Sequence, residues 1–270
     1  MIVDVVIPYS ANYTPRWMLD RLRDDIENQS IETNCIVIAD EDAQDVAESR
    51  NLGLDRSENR YVAFADADDQ WNRNKLERQL RSIQGSDATL CLTQTQTTDG
   101  TLNTRPTNDI KSFIEDVVFR RTMSFMSSML VDTERTDMRF NEDIYRREDH
   151  LYAIEVAADG GLCFVSDPLV TISKHSGGLS HEGEPNRSVE SHKHVFERAC
   201  DFFPDLRNKE AEYWAMIHHR VGRSHYYSGN YAESISHLST SLRHRPSIKT
   251  FGAFGVSFVS YCWAPSRVAR

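Results

Sequence analysis

Three aspartates stand within four positions at Asp66-Ala67-Asp68-Asp69, directly after the apolar run Tyr61-Val62-Ala63-Phe64-Ala65. Carboxylates this close repel one another, and they stay ionised together most easily beside a cation. Such an oxygen-rich cluster suits Mg2+ or Mn2+, which bind through one or two carboxylates plus substrate phosphates. The same residues would also serve as a solvated turn, because Asp is a good turn former. Two further apolar runs end in polar groups. Ile2 to Ile7 is followed by Pro8-Tyr9-Ser10, and Cys35 to Ala39 is followed by Asp40-Glu41-Asp42. None of the three ends carries a GxGxxG or GxxxxGK pattern, and the chain holds only 12 Gly, which disfavours both a Rossmann dinucleotide site and a P-loop.

The elements that must position these groups follow from periodicity. The runs 2–7, 35–39, 61–65 and 87–93 read as buried strands, and the stretches 16–28, 42–54 and 72–83 read as helices, with Asn72 as cap of the last. Strands alternating with helices of this length imply an α/β fold, a mostly parallel sheet with helices on both faces. In such sheets ligands bind outside the carboxyl ends of the strands, where all three polar clusters fall. Residues 95–107 read as a loop, 108–119 as a helix, 124–131 as a strand, 149–158 as a helix, and 162–165 and 169–172 as short strands. After about residue 186 the strand signal disappears, and 188–203, 209–228 and 231–244 read as helices. Gly222, Tyr226, Gly229-Asn230-Tyr231, Ala232 and Pro246 are spaced like one tetratricopeptide-type hairpin. A plain helical cap fits the same pattern. The expected organisation is therefore a main domain over 1–185, a helical appendage over 186–248, and an apolar helix within 249–270.

The ordered set of motifs resembles the family 2 glycosyltransferases of the GT-A fold. The resemblance rests on Ile2 to Ser10, Asp40, Arg50-Asn51-Leu52-Gly53, and Phe64-Ala65-Asp66-Ala67-Asp68-Asp69-Gln70-Trp71. It continues with Phe140-Asn141-Glu142, Arg147-Glu148-Asp149-His150-Leu151, and Lys174-His175 through Ser180. It covers about residues 1–182. One departure is that Asp40-Glu41-Asp42-Ala43 lacks the glycine common after the second strand of the family. The resemblance implies that Pro8, Tyr9, Ser10 and Asp40 hold the nucleotide of a nucleotide sugar. Arg50 and Asn51 would reach phosphate or brace the Asp-rich loop. Asp66 would contact ribose and a divalent metal, Mn2+ or Mg2+, and Asp68 would be the better metal ligand. Asp69 would cap the next helix or join the metal shell. His175 would be a further metal ligand or bind diphosphate. Asp149, expected at a helix N-terminus where an anion is stabilised, would be the general base for the acceptor, with Glu148 beside it on the acceptor side.

Composition narrows the partners. The net charge of −10 argues against nucleic acid, whose phosphates need a basic face. Five widely spaced cysteines, none in a CxxC pair, read as free thiols of a reducing compartment. No basic leader precedes Ile2, and the longest apolar stretch, Phe251 to Trp263, is shorter than the roughly 20 residues that span a bilayer. The expectation is a cytoplasmic enzyme, peripheral on the cell membrane if residues 249–270 lie on its surface. It would transfer a hexose to a glycan or lipid-linked glycan in surface-glycan or protein-glycan assembly. A nucleotidyltransferase, and a non-catalytic module with a partner-recruiting tail, are the competing readings.

Overall fold

A computed structural model describes residues 1–39, 45–122, 126–173 and 185–263, which fall into two compact units, Met1–Glu182 and Gly183–Arg270. Asp40 and His175 lie outside the described residues. In the first unit the chain runs β1 (Val3–Tyr9), α1 (Arg16–Glu27), β2 (Thr33–Ala39), α2 (Val46–Arg56), β3 (Tyr61–Phe64), β4 (Gln70–Trp71), α3 (Lys75–Gln84), β5 (Leu90–Thr97), α4 (Ile110–Val118), β6 (Met129–Asp132), α5 (Glu148–Gly160) and β7 (Leu162–Ile172). The strands form one sheet in the order β2-β1-β3-β6-β5-β7-β4. β1, β2, β3, β5 and β7 share one direction, and β6 and β4 oppose it. The sheet is thus mixed, with five of its seven strands co-directional.

Of the apolar runs predicted as buried strands, Val3, Val5, Val6 and Ile7 of β1 and all of β3 are shielded on both faces, whereas β2, at the sheet edge, buries only Ile38. α1 supplies Leu19, Leu22 and Ile26 to the core, and α3 supplies Leu76, Leu80 and Ile83. Two boundaries differ from expectation. Residues 95–97 continue β5 instead of opening a loop, because β7 runs unbroken through 162–172 and pairs with them after a register shift at Gln94. Asn72 does not cap α3. Gln70 and Trp71 first pair with β7, and the helix begins only at Lys75. The reason is Trp71. It is buried, its N–H donates to Asp25 Oδ2 at 2.9 Å, and the buried Lys75 ammonium lies 3.6 Å over its ring. Burial, set against little compensating charge, pulls the Lys75 amine far below its ordinary value.

The second unit is all helical, with α6 (Pro185–Phe202), α7 (Glu210–Tyr227), α8 (Tyr231–His244) and α9 (Ile248–Trp263). α7 and α8 form a tight hairpin, where a Cβ on Gly222 would come 2.8 Å from Leu238, and α9 packs on α8. Phe196 of α6 stacks on Tyr213 of α7 at 4.4 Å. All five cysteines are free, with Cys262 exposed and Cys35 half-buried. Among the described residues no helix is long and apolar enough to cross a membrane.

Along the α7–α8 seam four imidazoles follow one another. His225 stacks on His237 at 5.4 Å, His237 on His218 at 5.2 Å, and His218 on His244 at 5.9 Å, with 2.9 Å between the Nδ1 atoms of His218 and His237. Burial, helped by its positive neighbours, pulls His218 down to about 4, and burial pulls His225 and His237 down as well. The unfolded chain therefore binds more protons than the native one below the ordinary imidazole value of 6.5. The seam's stability is full above that pH and is lost as pH falls toward 4. Thermal unfolding followed by far-UV ellipticity is expected to lose a helical component over that interval. In His218→Leu the loss should be shallower, and an unchanged pH dependence would contradict the assignment.

Candidate active site

Arg50 organises the carboxyl end of the sheet. It sits on α2, one turn before Gly53, and Gly53 lies so close to β1 that an added Cβ would fall 2.2 Å from Val6 Cγ1. The missing side chain lets α2 settle onto the sheet and brings Arg50 over the end of β3. There its guanidinium is 4% exposed. Nη2 donates to Asp66 Oδ1 at 3.1 Å and Nη1 to Glu148 Oε1 at 2.7 Å, while its Cζ lies 5.5 Å from the centre of the Phe140 ring. Burial works against the cation, but Asp66, Glu148 and Asp149 together raise the guanidinium above its ordinary value. One buried arginine thus ties the Asp-rich turn to the start of α5.

The three carboxylates of the turn are held differently. The Asp66 N–H donates to Ser127 Oγ at 2.9 Å, and 40% of its side chain stays exposed. Burial, with Asp68 and Asp149 pushing the same way and Arg50 opposing, raises its carboxyl to about 6. Asp68 is half-buried, and its backbone carbonyl accepts from Arg21 Nη2 of α1 at 2.7 Å. Asp69 is buried, and its Oδ1 accepts from the Ser173 N–H at 3.1 Å. Burial and the two neighbouring aspartates hold it well above the usual range. Asp69 does not cap the following helix, because β4 intervenes.

Asp149 lies in the first turn of α5, and 25% of its side chain is exposed. The His150 N–H and His150 Nδ1 both lie 2.7 Å from Asp149 Oδ1, so both hydrogen bonds fall on one oxygen, and among the described residues none is made to Oδ2. Burial would raise its carboxyl, but His150, Arg147 and Arg50 outweigh it and hold the group well below the usual range. Glu148, beside it, is buried; its Oε2 accepts from the Arg147 N–H at 2.9 Å.

Asn51 is a brace. Its amide donates to the Phe140 carbonyl at 2.9 Å and to Glu142 Oε1 at 2.6 Å, and its Oδ1 accepts from the Phe140 N–H at 2.9 Å. That binds α2 to the segment carrying Phe140, whose ring stacks on Tyr152 at 3.9 Å and meets Phe64 edge-on at 5.2 Å. Pro8, Tyr9 and Ser10 are half-buried at the end of β1, where the Ser10 carbonyl closes a turn by accepting from the Thr14 N–H at 2.9 Å. The structure therefore gathers Arg50, Asp66, Glu148 and Asp149. Sequence reading missed Arg21 and Ser127, which carried no signal, while Phe140 and His150 stood inside the matched motifs without an assigned role. Among the described residues no three His, Cys, Asp or Glu side chains converge in a metal-holding group.

Residues 19–148 match the family model of Glycosyl transferase family 2. That matched stretch, just under half of the chain, is a family 2 glycosyltransferase segment. Among curated relatives is TuaG of Bacillus subtilis (strain 168), a glycosyltransferase whose name places it in teichuronic acid biosynthesis. It is 29% identical over 133 residues, which are 48% of this chain and 53% of TuaG. The match thus spans about half of that relative's length. Residues 1–349 of TarS from S. aureus, solved with UDP-GlcNAc, share the fold at a TM-score of 0.58 and 14% identity, with 97% of this chain and 92% of that one covered. The mannosyltransferase PcManGT of Pyrobaculum calidifontis, solved with GDP-Man and Mn2+, gives 0.53 and 13%, covering 97% and 81%. At these identities the likeness is one of fold, the GT-A architecture.

Replacing Arg50 isolates a buried charge. Arg50→Met leaves Glu148 buried without its cation, and such a loss costs about 3–5 kcal/mol. The double variant Arg50→Met/Glu148→Leu is expected to recover most of that stability in denaturant unfolding while transfer stays lost. Equal stability of the single and double variants would refute the bridge.

Proposed function

We propose that this chain is a glycosyltransferase that moves a hexose, with inversion, from a nucleotide sugar to a glycan or lipid-linked glycan acceptor. Asp66 and Asp68 would hold Mn2+ or Mg2+, and Asp149 would act as base. The observation that carries the reading is the Arg50 bridge, which joins a carboxylate at the strand ends, where donors bind in open sheets, to the pair at the start of α5. The complexes of TarS with UDP-GlcNAc and of PcManGT with GDP-Man and Mn2+ support a nucleotide-sugar donor. The name of TuaG supports a cell-surface polymer as the product class. On this reading the chain works at the cytoplasmic face of the membrane, where a lipid-linked acceptor is presented.

The residues fit a divalent cation. Asp66 has its proton affinity raised by burial and by Asp68 and Asp149, a strain that a bound cation relieves. One or two carboxylates plus diphosphate oxygens suffice for Mg2+ or Mn2+, and the remaining places go to water. When bound, the ion neutralises charge on the diphosphate. Pro8, Tyr9, Ser10 and Asp40 would hold the nucleotide, and Asn51 acts by fixing α2. His175 would approach the diphosphate. Glu148 keeps Arg50 in place beside Asp66. Asp149 takes the proton from the acceptor hydroxyl through Oδ2 while the hydroxyl oxygen of the acceptor bonds to the anomeric carbon. The bond from that carbon to the diphosphate breaks on the opposite face, and its electron pair leaves with the nucleoside diphosphate. Arg50, Arg147 and His150 keep Asp149 ionised throughout the neutral range. A carboxylate this acidic is a modest base, so its value lies in being deprotonated and held in place by His150.

Asp149→Asn is expected to bind donor normally and to lose about 10²- to 10⁴-fold in transfer, the usual worth of a general base. Wild-type rates would end the assignment. Asp68→Ala is expected to lose metal-dependent donor binding in a thermal-shift titration of sugar nucleotides with and without Mn2+; identical shifts in variant and wild type would place the metal elsewhere. Because Asp66 titrates near 6, metal-dependent donor affinity should fall as pH drops through 6 and plateau above it. A flat profile from pH 5 to 8 would exclude Asp66 from the metal site.

A further inference from the structure

Helix α9 is inside out. Its two buried positions are Thr250 and Ser257, and its exposed positions include Phe251, Val256, Phe258, Val259, Tyr261 and Trp263, the last 84% exposed. A helix on the surface of a water-soluble unit does the reverse, with its apolar stripe inward. What holds α9 is polar. Ser257 Oγ lies 2.9 Å from Ser234 Oγ of α8, and Thr250 Oγ1 lies 3.0 Å from His219 Nδ1 of α7. Small and hydroxyl residues at the seam with an apolar outer surface are the pattern of helices packed in lipid. The outer face contributes little to the fold, so the fold does not account for its composition.

Charge points to the occupant. From Thr250 to Trp263 there is no charged side chain, and Arg243, Arg245 and Lys249 precede it. From Tyr213 onward the sequence holds one acidic residue, Glu233, against seven basic ones. Residues 1–182, by contrast, hold 19 Lys and Arg against 33 Asp and Glu. Arg220, Arg223 and Lys249 lie near enough to His219 to depress its proton affinity, after burial, which places a cationic cluster at the start of α9. Sixteen residues make a helix of about 24 Å, shorter than the ~30 Å hydrocarbon core, so α9 can lie along a bilayer but not cross it. Tyr261 and Trp263 stand at its far end, where amphipathic rings favour the headgroup level.

We propose that α9 is a membrane-docking helix, which seats its outer face, Phe251, Val256, Phe258, Val259 and Trp263, in a lipid surface with anionic headgroups, drawn there by Arg220, Arg223 and Lys249. The proposal rests on α9 and not on the transfer reaction, so it stands or falls independently of the site chemistry.

The test is sedimentation of the full chain with vesicles of phosphatidylcholine alone and of phosphatidylcholine mixed with phosphatidylglycerol. Wild type is expected to pellet with the mixed vesicles and far less with the neutral ones. Lys249→Glu should weaken that binding by about fivefold or more, the scale of one basic residue near an anionic surface. Phe258→Glu/Val259→Glu replaces exposed side chains, so it should keep the wild-type ellipticity and unfolding temperature yet remain in the supernatant. Wild type that stays in solution with both vesicles, or a double variant that pellets like wild type, overturns the proposal. A wild-type dimer in light scattering that the double variant dissociates, without pelleting, also overturns it and gives the face to a second copy of the chain.

Discussion

The site depends on one buried cation. Arg50 is almost sealed from water, and a guanidinium in that position is tolerated only because carboxylates meet it from two sides, at 3.1 Å from Asp66 and 2.7 Å from Glu148. The pairing sets a chain of requirements. α2 must lie close enough to β1 for Arg50 to reach, which Gly53 permits by having no side chain where Val6 stands. The start of α5 must arrive at the same point, which Asn51 secures by hydrogen bonding around Phe140. The Asp-rich turn must keep its path, and Arg21 and Ser127 hold its backbone. Each contact constrains geometry, and their sum is a site in which carboxylates from the Asp-rich turn and from α5 meet one guanidinium.

Within that site the environment separates groups that the sequence writes alike. Asp66, by burial and two anionic neighbours, is raised to about 6, Asp69 is held well above the usual carboxylate range, first by burial, and Asp149, among His150, Arg147 and Arg50, is held low. Two of these carboxyls hold protons more readily than free aspartate, and one holds its charge more firmly. Groups pushed apart in this way can take different tasks. A cation is best received where anions crowd, and a proton acceptor must be ionised before the acceptor hydroxyl arrives. The division proposed between Asp66 and Asp149 follows that difference in surroundings.

The second unit is built by a different logic. Its hairpin is held by close approach at Gly222 and by a ladder of imidazoles, and its last helix by a hydroxyl pair and a hydroxyl–imidazole contact. Along α9, polar groups therefore lie at the inner seam and apolar ones face outward. In water that arrangement forgoes the burial that stabilises most helices. On the membrane-docking proposal, its sense lies in a surface that water does not occupy. The acidic first unit and the basic tail are likewise two electrostatic bodies whose difference the overall charge of −10 conceals.

Much of this was legible in the sequence. Strand and helix order, the polar strand ends, the ordered family motifs, and the loss of strands after residue 186 are local patterns, written by side-chain period and by residues close together in the chain. Trp71 could be recognised as a motif member, but nothing in its neighbourhood revealed that Lys75 would pack on its ring and delay α3. Asn51 offered two readings, a phosphate contact or a brace of the Asp-rich loop, whereas its observed bonds go to Phe140 and Glu142 in the packed segment 139–142. The decisive contact, Arg50 with Glu148, joins residues 98 positions apart. No local period encodes such a pair; it exists because the sheet carries α2 and α5 to the same strand ends. The apolar run 251–263 was plain as composition, but which of its faces is buried was decided only when Thr250 and Ser257 found His219 and Ser234. The sequence by itself determined the elements and the chemical types at their ends. The tertiary structure decided which charges meet, and so what each carboxylate can do, because proton affinity and partnership depend on distance and burial rather than on order along the chain.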